Sequence, residues 1–147
     1  DWLTNTNLVM ISIAILSIWW QLGYNMVIFL AGLQGIPKSY YEAAEIDGAT
    51  PFQRFRSITL PMLSPTTFFV TIMAIISSFQ VFDQAFVMTN GGPGKASYTM
   101  VYHIYNNAFV DFRFGASSAA AMILFMVILI FTLIQFKLQK RWVYYED

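Results

Sequence analysis

The sequence predicts an all-α membrane protein: about three membrane helices, with a pair of short capped helices between the first two. Three observations predict it. The 147 residues are 57% hydrophobic and only 11% charged, against about 45–50% and about 25% in soluble domains. The charges are also segregated. Residues 2–37, 57–82 and 114–136 carry none, in runs of 36, 26 and 23, and all 16 charges fall in the other 62 residues. Finally, residues 37–61 hold two helix-start signals in succession. Each charge-free run exceeds the roughly 20 apolar residues that cross a hydrocarbon core about 30 Å thick. Backbone groups in lipid must pair within their own segment, so the spans are helices. The ten-residue alternating segments of a membrane barrel are absent. Composition excludes other classes as well. There is too much apolar surface for a disordered chain. Eight Lys and Arg balance eight Asp and Glu, which argues against a basic nucleic-acid binder. With no Cys, disulfides, thiolate nucleophiles and Cys-based metal sites are excluded.

The first span is expected at residues 8–33. It lacks a basic leading region, is too long for a signal peptide, and follows Asp1 rather than Met; the chain therefore reads as a fragment of a longer protein. The second span, 64–82, is entered by Ser64-Pro65, a pattern of N-cap followed by proline at the first helical position. The third, 116–136, opens on Ala116-Ser117-Ser118-Ala119-Ala120-Ala121, small residues that let helix backbones approach closely in lipid. Three spans put the connection 34–63 and the tail 137–147 on one side. These carry Lys38, Arg54, Arg56, Lys137, Lys140 and Arg141, whereas the connection 83–113 carries Lys95 and Arg113. The cation excess places the first connection and the tail in the cytoplasm. Trp142, Tyr144 and Tyr145 suit an interfacial anchor beyond the last span. Met88-Thr89-Asn90-Gly91-Gly92-Pro93-Gly94 is the clearest turn cluster, on the outer side.

The connection between the first two spans is the most informative segment. Ser39 and Glu42 form a capping-box pattern, Tyr40 to Asp47 reads as a short helix, and Gly48 suits a left-handed residue past its end. Thr50-Pro51-Phe52-Gln53 repeats the start signal. The second helix is expected to run to about Thr59, with Pro61 breaking the pattern before the second span. Tyr40, Tyr41 and Phe52 permit a pair lying on the headgroups. The acidic bias of Glu42, Glu45 and Asp47 against the basic Arg54 and Arg56 permits instead a projecting pair that seats in a groove on a cytoplasmic partner.

Glu42-Ala43-Ala44, then Gly48, then Ile58-Thr59-Leu60-Pro61 resemble the EAA loop of binding-protein-dependent ABC importer permeases, and Asp47-Gly48-Ala49 within it is typical. Other pieces resemble the sugar-type subfamily, in the expected order. They are Ala31 to Pro37, Phe82-Asp83, Thr89-Asn90-Gly91-Gly92-Pro93, Asp111-Phe112-Arg113-Phe114-Gly115, and the ending from Arg141 to Glu146. The resemblance covers nearly the whole chain. It implies the C-terminal part of a type I ABC importer transmembrane domain in a bacterial or archaeal inner membrane, transporting sugar by alternating access and not itself an enzyme. It implies as partners a second permease subunit, an ABC ATPase dimer that uses ATP and Mg, and an extracytoplasmic solute-binding protein; no cofactor is implied for this chain. In the family this loop couples the ATPase to the membrane helices. Carried over, Glu42 would pair with a basic group on the ATPase, Ala43 and Ala44 would form the close-packed face, and Gly48 would let the chain turn. Asp47, Ala49, Leu60 and Pro61 complete the motif.

For the solute path the residues themselves speak. Trp20, Gln21, Gly23, Tyr24 and Asn25 lie near the middle of the first span, where polar groups mark a bundle interior or a cavity. Gln21 and Asn25, at i and i+4, share a face. Amides can bond sugar hydroxyls while rings cover sugar C–H faces; ordinary interhelical hydrogen bonding accounts for the same residues equally well. Ser77, Ser78 and Gln80 near the end of the second span are similar candidates. Gly94-Lys95 fails as a phosphate-binding loop, because Ala96 follows the lysine and Thr89 stands where the first Gly belongs. The single histidine, His103, cannot form a His-rich metal set. Asp83 and Asp111 bracket the outer connection without a nucleophile motif and read as solvated charges or partner contacts.

Overall fold

The computed structural model describes residues 1–139 and 143. Among them the order is α1 (Val9–Gln34), α2 (Lys38–Ile46), α3 (Pro51–Arg54), a π-helical turn (Phe55–Thr59), α4 (Leu60–Met62), α5 (Ser64–Phe79), α6 (Asp83–Thr89), α7 (Met100–Tyr105), a second π turn (Asn106–Val110) and α8 (Phe114–Gln139). No strand occurs among the described residues. The expected aromatic anchor, together with Lys140 and Arg141, lies outside them.

Helices α1 and α8 have 26 residues each, about 39 Å at 1.5 Å per residue. Their apolar side chains cover the whole circumference, as expected of a helix surrounded by lipid or other helices. Helix α5 is shorter than the expected 64–82. It ends at Phe79, where Gln80 leaves helical geometry with φ −102° and ψ 15°, so its 16 residues rise only about 24 Å. It reaches span length only with Pro51–Met62, from which it is bent by 59°. Two helices are thus long and apolar enough to cross a membrane, or three if the bent pair is one span.

Two local expectations need correction here. Ser64 does not cap α5. Leu63 precedes the helix, Ser64 is its first residue, and the Ser64 hydroxyl donates to the Pro61 carbonyl at 2.6 Å. Pro61 does not break the pattern either, since it lies inside α4. The preceding π turn explains the tolerance. There the Leu60 N–H donates to the Phe55 carbonyl, five residues back. The chain has therefore left the i−4 ladder that a proline would disrupt.

The best-buried cluster lies where α1 begins. Val9, Ile13, Ala85 and Tyr102 form it, with Val81, Phe82, Met88, Ala96 and Tyr98 packed around them. The Phe82 ring lies 5.3 Å from Phe86 and 5.1 Å from Tyr105, within the range of favourable ring pairs. These contacts organise the connection 83–113, which holds two helices and a π turn in addition to the expected turn cluster. The Tyr102 hydroxyl lies 2.9 Å from the Asn90 carbonyl and 3.0 Å from Asn90 Oδ1. Gly91, at φ +82°, passes so close to the Tyr102 ring that a Cβ would stand 2.9 Å from it. Ser97 is fully buried, its Oγ 2.6 Å from both the Gly92 carbonyl and Thr89 Oγ1.

Close approaches also join the long helices to their neighbours. Buried Ser117 of α8 donates to the Ile104 carbonyl at 2.8 Å, a contact only a small side chain permits. At the opposite end of α1, a Cβ on Gly32 would meet Thr66 Oγ1 at 2.6 Å and Leu63 Cδ2 at 3.0 Å. Helices α5 and α8 meet through Phe68 and Phe136 (5.5 Å) and through Phe79 and Phe131 (5.3 Å).

Candidate functional site

The connection 34–63 contains the predicted helix pair, but its two starts are built differently. Helix α2 begins at Lys38 behind Pro37, which holds φ −60° and ψ 133° and supplies no side-chain cap. The Ser39–Glu42 box is not formed. Proline already imposes the extended conformation of an N-cap, so the helix starts early and Ser39 becomes its second residue, inside the position a cap would need. Helix α2 ends at Ile46. Asp47 follows, then Gly48 at φ +75°, the left-handed conformation for which glycine is suited. The turn is closed by the Ala49 N–H donating to the Ala44 carbonyl at 2.9 Å and the Gly48 N–H to the Glu45 carbonyl at 3.0 Å.

The second start matches the sequence reading. Thr50 accepts from the Gln53 N–H at 3.4 Å, while Gln53 Oε1 accepts from the Thr50 N–H at 2.7 Å. This is the reciprocal capping box, with Pro51 at the first helical position. Two contacts fold the second half back on the first. Tyr41 Oη lies 2.9 Å from Thr59 Oγ1, and Arg54 Nη1 lies 3.3 Å from Glu45 Oε2.

The pair presents a mixed surface. Glu42, Ala43, Asp47 and Gly48 are exposed, Ala44 and Ala49 half-buried, and no residue of α2 or α3 is buried. Ile46 is 88% exposed and Phe52 69%, large apolar side chains left uncovered beside the charges of the pair. Leu60 is exposed and Pro61 half-buried on the helical turn that leads into α5.

A second feature lies between α1 and α5. A cleft of about 430 Å³ is lined by Trp20, Gln21, Tyr24 and Asn25 from α1 and by Ser77 and Gln80 from the end of α5. Six of the eight path candidates therefore share one wall. Ser78 points elsewhere: it lines an adjoining cavity of about 370 Å³ with Gln21, and its hydroxyl donates to Ile75 O at 2.7 Å. Gly23 takes no part; a Cβ there would have open space around it. Sequence reasoning missed Met73, Phe82, Asp83 and Gln84 in this wall. The irregular link after Phe79 brings the start of α6 to the cleft, so Asp83, read as an outer-loop charge, lines it. Among the described residues the walls offer amides, hydroxyls and ring faces for a polar solute rich in hydroxyls.

The family described as the binding-protein-dependent transport system inner membrane component matches residues 1–144. The chain belongs to this family. Individual permeases agree. The chain is 40% identical over 146 residues to the sn-glycerol-3-phosphate transport system permease protein UgpA of Agrobacterium fabrum, covering 99% of this chain and 50% of that protein. It is 42% identical over 148 residues to the "Probable ABC transporter permease protein YesP" of Bacillus subtilis, covering 99% and 48%. A chain in the crystal structure of a bacterial ABC transporter involved in import of the acidic polysaccharide alginate superimposes with a TM-score of 0.80 at 25% identity, covering 95% of this chain and 49% of that one. This inner membrane component thus spans about half the length of the permeases it matches.

Proposed function

We propose that this chain is the membrane-spanning part of a permease subunit in an ATP-driven importer that moves a sugar, or a related polyol phosphate, into the cytoplasm by alternating access. The observation that carries the reading is the helix pair of residues 38–59. Glu42 and Ala43 stand exposed, with Ala44 half-buried, on a helix ended by left-handed Gly48 and followed by a boxed second helix. On this reading the pair faces the cytoplasm and seats in a separate ATP-binding subunit, which holds ATP and Mg. Glu42 has no ion-pair partner among the described residues and is free to meet a basic group there. Ala43 leaves the helix face flat, and Ile46 and Phe52 supply apolar area to bury. Partners are a second permease subunit, an ATPase dimer and an extracytoplasmic solute-binding protein. The similarity to a transporter solved with an alginate pentasaccharide-bound periplasmic protein supports the last of these.

The solute passes the cleft between α1 and α5, where Gln21, Asn25, Ser77 and Gln80 offer hydrogen bonds and Trp20 and Tyr24 offer ring faces. The test is reconstitution of the full permease with its partners in proteoliposomes, with uptake of labelled sugar measured against ATP hydrolysis. Uptake that needs ATP supports the reading; hydrolysis without uptake of any tested sugar defeats the substrate assignment. In the same preparation Gln21→Cys, Asn25→Cys and Ser77→Cys should label from water in a nucleotide-dependent manner. Inert cysteines at all three positions would sink the cleft as a path.

A further inference from the structure

We propose that Tyr41 and Thr59 form a strut that delivers displacement of the coupling helix α2 to the second span, with Gly32 marking the pivot. The inference rests on the coupling reading above and adds the residues through which the motion leaves the loop. Helix α2 buries none of its residues, so it is not wedged into the body of the protein by packing. Among the described residues, Tyr41 and Glu45 reach the following segment in side-chain contacts of unequal quality. Arg54–Glu45 is 3.3 Å long and its Glu45 side chain is 73% exposed, a pair that water and salt weaken. Tyr41–Thr59 is 2.9 Å long, part-buried, and spans 18 residues of sequence; Thr59 is only 8% exposed. A hydrogen bond shielded in this way is the stiffer of the two connections.

Thr59 closes the π turn, and its carbonyl accepts the Leu63 N–H at 2.9 Å. The strut therefore ends one helical turn before the 59° bend that opens α5. Beyond the bend, Leu63 and Thr66 press on Gly32 of α1, with no room for a Cβ. A pull on α2 thus reaches a short lever that lies closely against α1 at Gly32. Tyr41, Thr59 and Gly32 are positioning residues: they touch neither solute nor nucleotide.

The experiment uses the full transporter in proteoliposomes and reads solute taken up per ATP hydrolysed, with retention of the ATP-binding subunit on purification as a separate readout. Tyr41→Phe and Thr59→Val should each lower uptake per ATP by about two- to tenfold, the range that loss of one neutral hydrogen bond spans. The ATP-binding subunit should stay bound at the wild-type level. The double variant should be no worse than either single one, since both remove the same contact. Thr59→Ser, which keeps the hydroxyl, should couple normally, whereas Thr59→Val keeps the shape and loses the bond, so the pair separates bonding from packing. Unchanged uptake per ATP in Tyr41→Phe and Thr59→Val, or losses that add in the double variant, would overturn the strut and leave the coupling reading intact. A wild-type complex that fails to retain the ATP-binding subunit through this loop would overturn both.

Discussion

The two connections between long helices are similar in length and opposite in construction. The segment 83–113 turns inward. Ala85, Ser97, Tyr102, Asn107 and Ala108 are buried, the Thr89, Ser97 and Tyr102 hydroxyls are bonded within the segment, and its rings pack on one another. The segment 34–63 turns outward. Its helices α2 and α3 bury nothing, yet their ends are defined by a proline, a left-handed glycine and a capping box. The contrast separates two ways of ordering a connection. One is held by a core that it shares with the start of α1. The other is shaped by backbone chemistry and leaves Glu42, Ile46 and Phe52 exposed.

Substitutions break this contrast in graded steps. The largest effect is expected from Tyr102→Ala, which removes a ring that is 6% exposed together with its bonds to Asn90; loss of about 3–5 kcal/mol is usual for a buried aromatic. Thermal unfolding in detergent checks it, and a wild-type melting temperature would show that the outer segment is not a core. Gly48→Val comes next. Nothing stands within 4 Å of a Cβ there, so the penalty is purely conformational, about 1–2 kcal/mol for a left-handed residue, more for a branched one. The variant should insert and melt only modestly below the wild type but lose ATP-coupled uptake; normal coupling would count against an ordered turn between the helices.

Thr50→Ala should cost about 1 kcal/mol locally through the lost cap, read as faster amide exchange at Gln53 and Arg54. The smallest effect is the most pointed. Ser39→Ala should change nothing in exchange or uptake, although the sequence marks Ser39 and Thr50 as equivalent starts. Equal responses at the two positions would mean that α2 is capped by Ser39 after all.

That pair also shows what is legible in a sequence like this. Charge-free runs of 36 and 23 residues reveal α1 and α8, because burial in lipid forbids charge along the whole element. Gly48 and the Thr50 box are equally plain, being local chemistry completed within four residues. Ser39 misleads because Pro37, two residues upstream, wins the competition for the helix start. The early end of α5 is hidden because the residues after it, Val81 and Phe82, are as apolar as the span, though they pack on Val9, Ile13 and Tyr102. Such contacts join positions about twenty to seventy residues apart, and no periodicity reports them. The cleft shows the same division. Gln21 and Asn25 share a face by helical spacing alone, whereas Asp83 and Gln84 join the wall only through the irregular link after Phe79.

The π turn at 55–59 has a bearing on register. A π turn is an α-helix carrying one residue more than its pitch requires, and each residue rotates the following side chains by about 100°. The face that α4 shows to the strut, and the direction in which the chain enters the bend before α5, are therefore set by that extra residue. Deleting any one of the five would restore regular pitch and turn the segment beyond it by more than a quarter of a circle, with composition and capping nearly untouched.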